Sequence, residues 1–169
     1  EAYFGEIPSG IPVVQPTVIE PPLGGEKTAT IYDNIQLPAV MMGYRMPPQT
    51  SADAYALQMA STVLSGGPSS RMYRRLVDED QSAFSVFAFP YSLEQGGAFM
   101  TFSLANSGKT IDDMVPALEE EIAKLQNELI SEREFQKIQN QMESRFVQSN
   151  STMAGIAESL ADYHTYYGD

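Results

Sequence analysis

The 169-residue chain holds one histidine, His164, and no cysteine. Together these counts close most routes to catalysis. A zinc centre needs several His or Cys ligands, and a hydroxyl or thiol nucleophile needs a base beside it. His164 extends the apolar series Met153, Ile156, Ala157 and Leu160 at helical spacing. It is therefore expected to be a packed or edge histidine. Glu119, Glu120 and Glu121 are consecutive and splay around a helix, and Asp78, Glu79 and Asp80 read as solvated residues near a helix end. Neither set has the spacing of a paired-carboxylate centre. No catalytic and no metal-binding residue is expected here.

The most distinctive polar cluster is basic. Arg71, Arg74 and Arg75 lie at i, i+3 and i+4, on one face of a helix. Such a face could grip a carboxylate bidentately. It could also pair with Asp78, Glu79 or acids elsewhere in the chain, and that structural reading is the favoured one. Gly66-Gly67 is not a phosphate loop, because it follows a helix and lacks the Gly-Lys-Ser/Thr ending.

Charge narrows the partners. Against 22 acidic residues stand 10 basic ones, a formal charge of −12. A nucleic acid is excluded as partner, since binding phosphates needs cations to displace counterions. An acidic surface suits basic peptides, but solubility is the simpler reading. No run approaches the roughly 18–20 apolar residues of a membrane-spanning helix, so no membrane insertion by this segment is expected. Residues 1–5 lack the basic and apolar regions of a signal peptide. In a piece of a longer protein that absence says nothing of destination, and periplasm and cytoplasm both stay open.

The elements that must position these residues follow from periodicity. Five prolines and four glycines fall within residues 1–26 and break any regular pattern, which predicts an interdomain linker. A chain opening on a linker is expected to belong to a longer protein. Strands are predicted at Lys27 to Asp33 and Leu37 to Met46. Thr50 and Asp53 have capping-box spacing ahead of a helix burying Ala56, Leu57, Ala60, Val63 and Leu64. Gly66-Gly67-Pro68 stops that helix, and Ser69 or Ser70 caps a shorter one reaching about Glu79. Two strands follow, Ala83 to Phe89 and Ala98 to Leu104, joined by a turn at Glu94 to Gly97. In the second, Ala98, Met100, Phe102 and Leu104 share one face, Thr101 and Ser103 the other. Helices are predicted from Ile111 to Leu129 with Pro116 in the first turn, along Phe135, Ile138, Met142 and Phe146, and along Met153 to His164. The order β-β-α-α-β-β-α-α-α predicts an α+β fold, with helices packed on one face of a largely antiparallel sheet.

The stretch Leu64 to Phe87, with its Gly66-Gly67-Pro68 break, Ser70-Arg71-Met72-Tyr73, the basic-acidic helix end and Ala83-Phe84-Ser85-Val86, resembles a known family. It is similar to the C-terminal, non-metal-binding domain of the insulinase, pitrilysin and mitochondrial processing peptidase superfamily. The flanks agree. Tyr3 to Pro8 resembles the segment closing the preceding domain. Leu37 to Met46 resembles the family's strand before a helix of the Asp53-Ala-Tyr-Ala-Leu57 type, and Tyr163 to Gly168 the helix leading to the domain's last section. The resemblance covers essentially the whole chain.

That resemblance implies a two-layer α+β sandwich with a mixed or antiparallel sheet. It assigns residues 1–26 to the linker and tail of a preceding domain, and residues 27–169 to a C-terminal domain truncated before a final helix and strand. It also implies a bacterial zinc metalloendopeptidase as the parent. There an H-x-x-E-H motif and a downstream glutamate hold zinc in a homologous N-terminal domain, and the zinc-bound water attacks the peptide. This chain carries none of those ligands and should be inactive alone, without a cofactor of its own. Its implied partners are a peptide substrate, the N-terminal domain and a second peptidase-like subunit. Some family C-terminal domains offer an Arg and a Tyr, seven positions apart, to substrate. Here those positions hold Val77 and Phe84, so both polar functions are missing, although Phe84 can still pack against substrate. Val77, Phe84 and Arg71 are the candidate substrate-binding residues. The expected role is a chamber wall that encloses peptide and supports clamshell or dimer assembly. The alternative is a non-catalytic scaffold subunit of the same superfamily.

Overall fold

The computed structural model describes residues 3, 5–8, 10–14 and 19–168. Residues 1–32 and 33–169 form two separate units. Among the described residues of the first there is no helix or strand, in keeping with its prolines and glycines. Phe4 of the segment Tyr3 to Pro8, and Pro16 of the linker, lie outside the described residues.

The strand predicted at residues 27–33 does not form. All seven residues are exposed and carry no ladder. Thr28, Thr30 and Tyr32 on one side and Ala29 and Ile31 on the other leave neither face apolar enough to pack. Alternation alone does not provide the partner strand that backbone pairing requires.

Strand β1 is Ala39–Met46, β2 is Ala83–Ser92 and β3 is Gly97–Ala105. They form an antiparallel sheet in the order β1-β3-β2. The register pairs Met41 with Phe102, and Phe102 with Phe87. A bulge between Ala83 and Ser85 leaves Phe84 without a partner in β3. The free edge of β2 is stitched to a helix: Ser65 Oγ accepts from the amide of Ala88 at 2.7 Å and donates to its carbonyl at 3.1 Å. Pro90 is tolerated there because β2 is an edge strand.

Helix α1, Ala52–Ser65, starts one residue later than the capping-box spacing suggests. Ser51, not Thr50, is the cap, and its hydroxyl accepts from the amide of Asp53 at 3.3 Å. Asp53 then lies too early in the helix to complete a box with its cap. At the other end Gly67 turns the chain with φ +134°, a conformation that favours glycine. Ser70 closes that turn, its hydroxyl donating to the Gly67 carbonyl at 2.6 Å. The short helix that follows is wide. Tyr73–Glu79 is π-helical, and the amide of Asp80 reaches back five residues to the Arg75 carbonyl at 2.9 Å.

The helix predicted from Ile111 to Leu129 is divided. Ile111–Asp113 is a 3₁₀ turn, and α2 is Val115–Asn127 with Pro116 in its first turn. Leu129 lies beyond α2 and is fully exposed. Helix α3, Glu132–Ser149, opens on a capping box between Ser131 and Glu134. Helix α4, Met153–Asp162, continues into a π-helical turn, Tyr163–Tyr167. No residue of α4 is buried, and His164 is exposed rather than packed. Its apolar series is helical in period but has no described surface lying on it.

Leu64, Met72, Leu76, Val86, Ala88, Phe99, Ala105, Met114, Ala117 and Leu118 form the core. These residues come from α1, the π-helical segment and α2 on one side and from one face of β2 and β3 on the other. The result is a two-layer α+β sandwich. The face of β3 turned to the helices is the one with Phe99, Thr101, Ser103 and Ala105, all buried. Ser103 donates to the Ser85 carbonyl at 3.3 Å. Thr101 is fully buried and its hydroxyl has no partner among the described residues.

Candidate functional site

The three candidate residues meet different surroundings. Arg71 sits on the turn of helix after Ser70 and points to α3, where it holds Glu134 bidentately. Nε donates to Oε1 and Nη2 to Oε2, both at 3.0 Å. Val77, in the π-helical segment, packs against the core. Phe84, unpaired in the β2 bulge, is 66% exposed. Bulges re-aim side chains at functional edges, and Gln81 in the left-handed region (φ 50°) turns the chain into this one.

The other arginines also pair within the chain, as the favoured reading of the basic face expects. Arg74 meets Glu79 at 3.5 Å, and Arg75 meets Asp80 at 3.0 Å. Asp80 and Glu79 are thus engaged rather than simply solvated. The glutamates of α2 depart from expectation in the same way. Glu120 and Glu121 do converge, both on Lys124 at 2.8 Å, because i+3 and i+4 return to one helical face.

The hydrogen bonds from Arg71 hold the Glu134 carboxyl below its ordinary value near 4.5, with help from the Ser131 amide. In the acid range the unfolded chain then binds more protons than the folded one, so stability rises with pH there. The contribution is complete above about pH 4.5 and is lost as pH falls through the depressed folded value. With the carboxylate about a third exposed, solvent screens the pair to about 1 kcal/mol. Glu134→Gln should therefore cost about 1 kcal/mol at pH 7 and progressively less as the pH falls below about 4.5. Urea unfolding across a series of pH values from 7 downward checks this, and a loss that does not change with pH would contradict it.

Zinc does not fit this chain. His164 is the single histidine, there is no cysteine, and among the described residues no three His, Asp or Glu side chains come together to hold a metal. No step of metal chemistry can be assigned to its residues.

The largest feature beyond these residues is the second face of the sheet. Side chains alternate along each strand, so Phe87, Phe89 and Tyr91 of β2 share a face with Met100, Phe102 and Leu104 of β3 and Met41 of β1. Met41 is 57% exposed, Phe87 52%, Phe89 38% and Tyr91 58%. Phe87 and Phe102 stack across the strands at 6.4 Å. Arg45 is the one charged residue on the paired positions of this face. Sequence reasoning missed it, although the pattern in β2 was readable: large aromatics at 87, 89 and 91 alternate with Val86 and Ala88, small enough to fit under helices.

A helical layer on one face of an antiparallel sheet fits the expected family. Residues 1–142 match the family model described as the Peptidase M16 inactive domain. The chain belongs to that family. Among curated relatives of this M16 domain is the zinc protease PqqE of Helicobacter pylori, 26% identical over 149 residues, which are 88% of this chain and 34% of that protein. An uncharacterized zinc protease of Mycobacterium leprae is 25% identical over 76% of this chain and 30% of its own length. The chain thus spans about a third of the length of the curated relatives it matches. A protease structure from Helicobacter pylori superposes with a TM-score of 0.73 at 25% identity, covering 78% of this chain and 32% of that one. The inactive peptidase domain of a Bordetella parapertussis protein shares the fold, with a TM-score of 0.68 at 24% identity over 80% of this chain and 73% of that one.

Proposed function

We propose that this M16 inactive domain is the non-catalytic wall of a peptide-enclosing chamber in a zinc metalloendopeptidase. Zinc and the attacking water belong to a homologous domain outside these 169 residues. The observation that carries this reading is the open apolar face of the sheet. Seven large apolar side chains are held in register there by backbone pairing and are not used by the core. Such a contiguous patch marks a surface that meets something. The kinship with zinc proteases makes peptide the natural occupant. Selection would come from confinement: the wall offers area to an unfolded segment while another domain performs the cleavage. Phe84, exposed in its bulge, offers a further apolar contact without a phenolic donor. Val77 packs against the core, as support rather than as a contact. Arg71 holds α3 through Glu134 and so positions the helical layer.

The test is zinc content and peptide hydrolysis of a longer protein containing this domain, alone and mixed with a homologous subunit. One zinc per chain with chelator-sensitive cleavage supports the wall of a working peptidase. Neither zinc nor cleavage in either state would transfer the domain to the scaffold reading. The 169-residue chain alone should bind no stoichiometric zinc and cleave nothing.

A further inference from the structure

The open face has a period as well as a polarity. Phe87, Phe89 and Tyr91 follow one another at every second residue of β2, which spaces their side chains by about 6.6–6.8 Å. Phe102 and Met100 stand opposite the first two of them on β3. Two parallel rows of large apolar side chains result. An extended peptide lying along β2 also presents side chains to one side every about 6.6–6.8 Å. Its apolar residues at i, i+2 and i+4 can settle between those of the ladder. Phe87, Phe89 and Tyr91 pair with β3, and the outward groups of Ala88 between them are bonded to Ser65. Across the face itself, recognition reads the side chains, which stand above the sheet, while its backbone hydrogen bonds lie in the sheet plane.

Charge decides what those side chains are. The chain carries 22 carboxylates, yet the paired positions of the open face contain none, and Arg45 is their only ion. A face stripped of carboxylates in an acidic protein offers no counter-ion to a basic partner, and Arg45 at one end is all it presents to an acidic one. A second copy of this chain, with a net charge of −12, is repelled as it approaches. We infer that the Phe87-Phe89-Tyr91 ladder binds extended peptide segments that carry uncharged apolar side chains at alternate positions. This rests on the chamber-wall reading and names the class of peptide that the wall takes.

The experiment uses the full 169-residue chain and two short, end-capped, dye-labelled peptides of equal composition. One alternates Phe or Leu with Ser, and the other groups the same residues in blocks. A third peptide carries Glu at the alternate apolar positions. The alternating peptide should bind at least about tenfold more tightly than the other two, and Phe87→Ser with Phe89→Ser should weaken it at least about tenfold, as truncation of aromatic anchors does. Tyr91→Ser, at the more exposed end, should weaken it with the melting transition unchanged, which guards against a folding artefact. Equal binding of the alternating and block peptides, both lost in the variants, would overturn the period while leaving the wall. Tight binding of the Glu peptide would overturn the charge rule. No peptide binding, or binding indifferent to all the variants, would remove the wall reading with the inference. A chain that sediments as a dimer, and as a monomer once Phe87 and Phe89 are replaced, would make a second copy the occupant and overturn the proposal.

Discussion

Leu118→Ala should lower the unfolding free energy by about 3–4 kcal/mol, the cost of deleting a fully buried leucine and leaving part of its space empty. Leu118 is 0% exposed and lies among Leu64, Met72, Leu76 and Met114. It belongs to the buried cluster that joins α2 to α1, the π-helical segment and the sheet. A domain of this size has a total stability of about 5–15 kcal/mol, so the variant should keep only part of its margin. Denaturant unfolding measures the loss, with Leu129→Ala as the comparison. Leu129 lies past the end of α2 and is 100% exposed, and its truncation should change stability by less than about 0.5 kcal/mol. A loss below about 1 kcal/mol for Leu118→Ala would mean that α2 is not packed into the core as described.

Thr101→Val should act in the opposite direction. Thr101 sits in the middle of β3, opposite Met42 and Ala88, on the face covered by helices. Its hydroxyl is buried and has no hydrogen-bond partner among the described residues. An unpaired buried hydroxyl costs about 1–3 kcal/mol, and valine has nearly the same shape without the polar atom. A gain of about 1–2 kcal/mol is expected, with β propensity unchanged or improved. Ser103→Ala is the contrasting case, because Ser103 does donate, to the Ser85 carbonyl. That substitution should give no gain. A destabilised Thr101→Val would show that the hydroxyl has a bonding partner in solution.

Much of this architecture was legible in the chain. Proline pairs and glycine breaks delimit elements through backbone sterics alone, so the ends of β1 and α1 came within a few residues. The strand at residues 27–33 was misread because alternation reports a potential face and not a partner strand. The polarity of β3 was harder. Met100, Phe102 and Leu104 are the apolar set, yet Thr101 and Ser103 are buried with Phe99 and Ala105, because the helical layer covers their face. A residue count along one strand cannot show which face the helices choose. The bulge at Phe84 depends on the register between β2 and β3, a relation that neither strand contains by itself. The partnership of Arg71 with Glu134, 63 residues apart, was open for the same reason. The type of partner could be named, but not the residue.

The central claim is that this domain holds peptide while another domain cuts it. It is tested most directly by steady-state hydrolysis of an apolar peptide by a longer M16 protein carrying Phe87→Ser and Phe89→Ser, with zinc content measured beside it. The account predicts that KM rises about tenfold while kcat and zinc stoichiometry stay as they were, the signature of lost substrate binding without lost chemistry. An unchanged KM would contradict it.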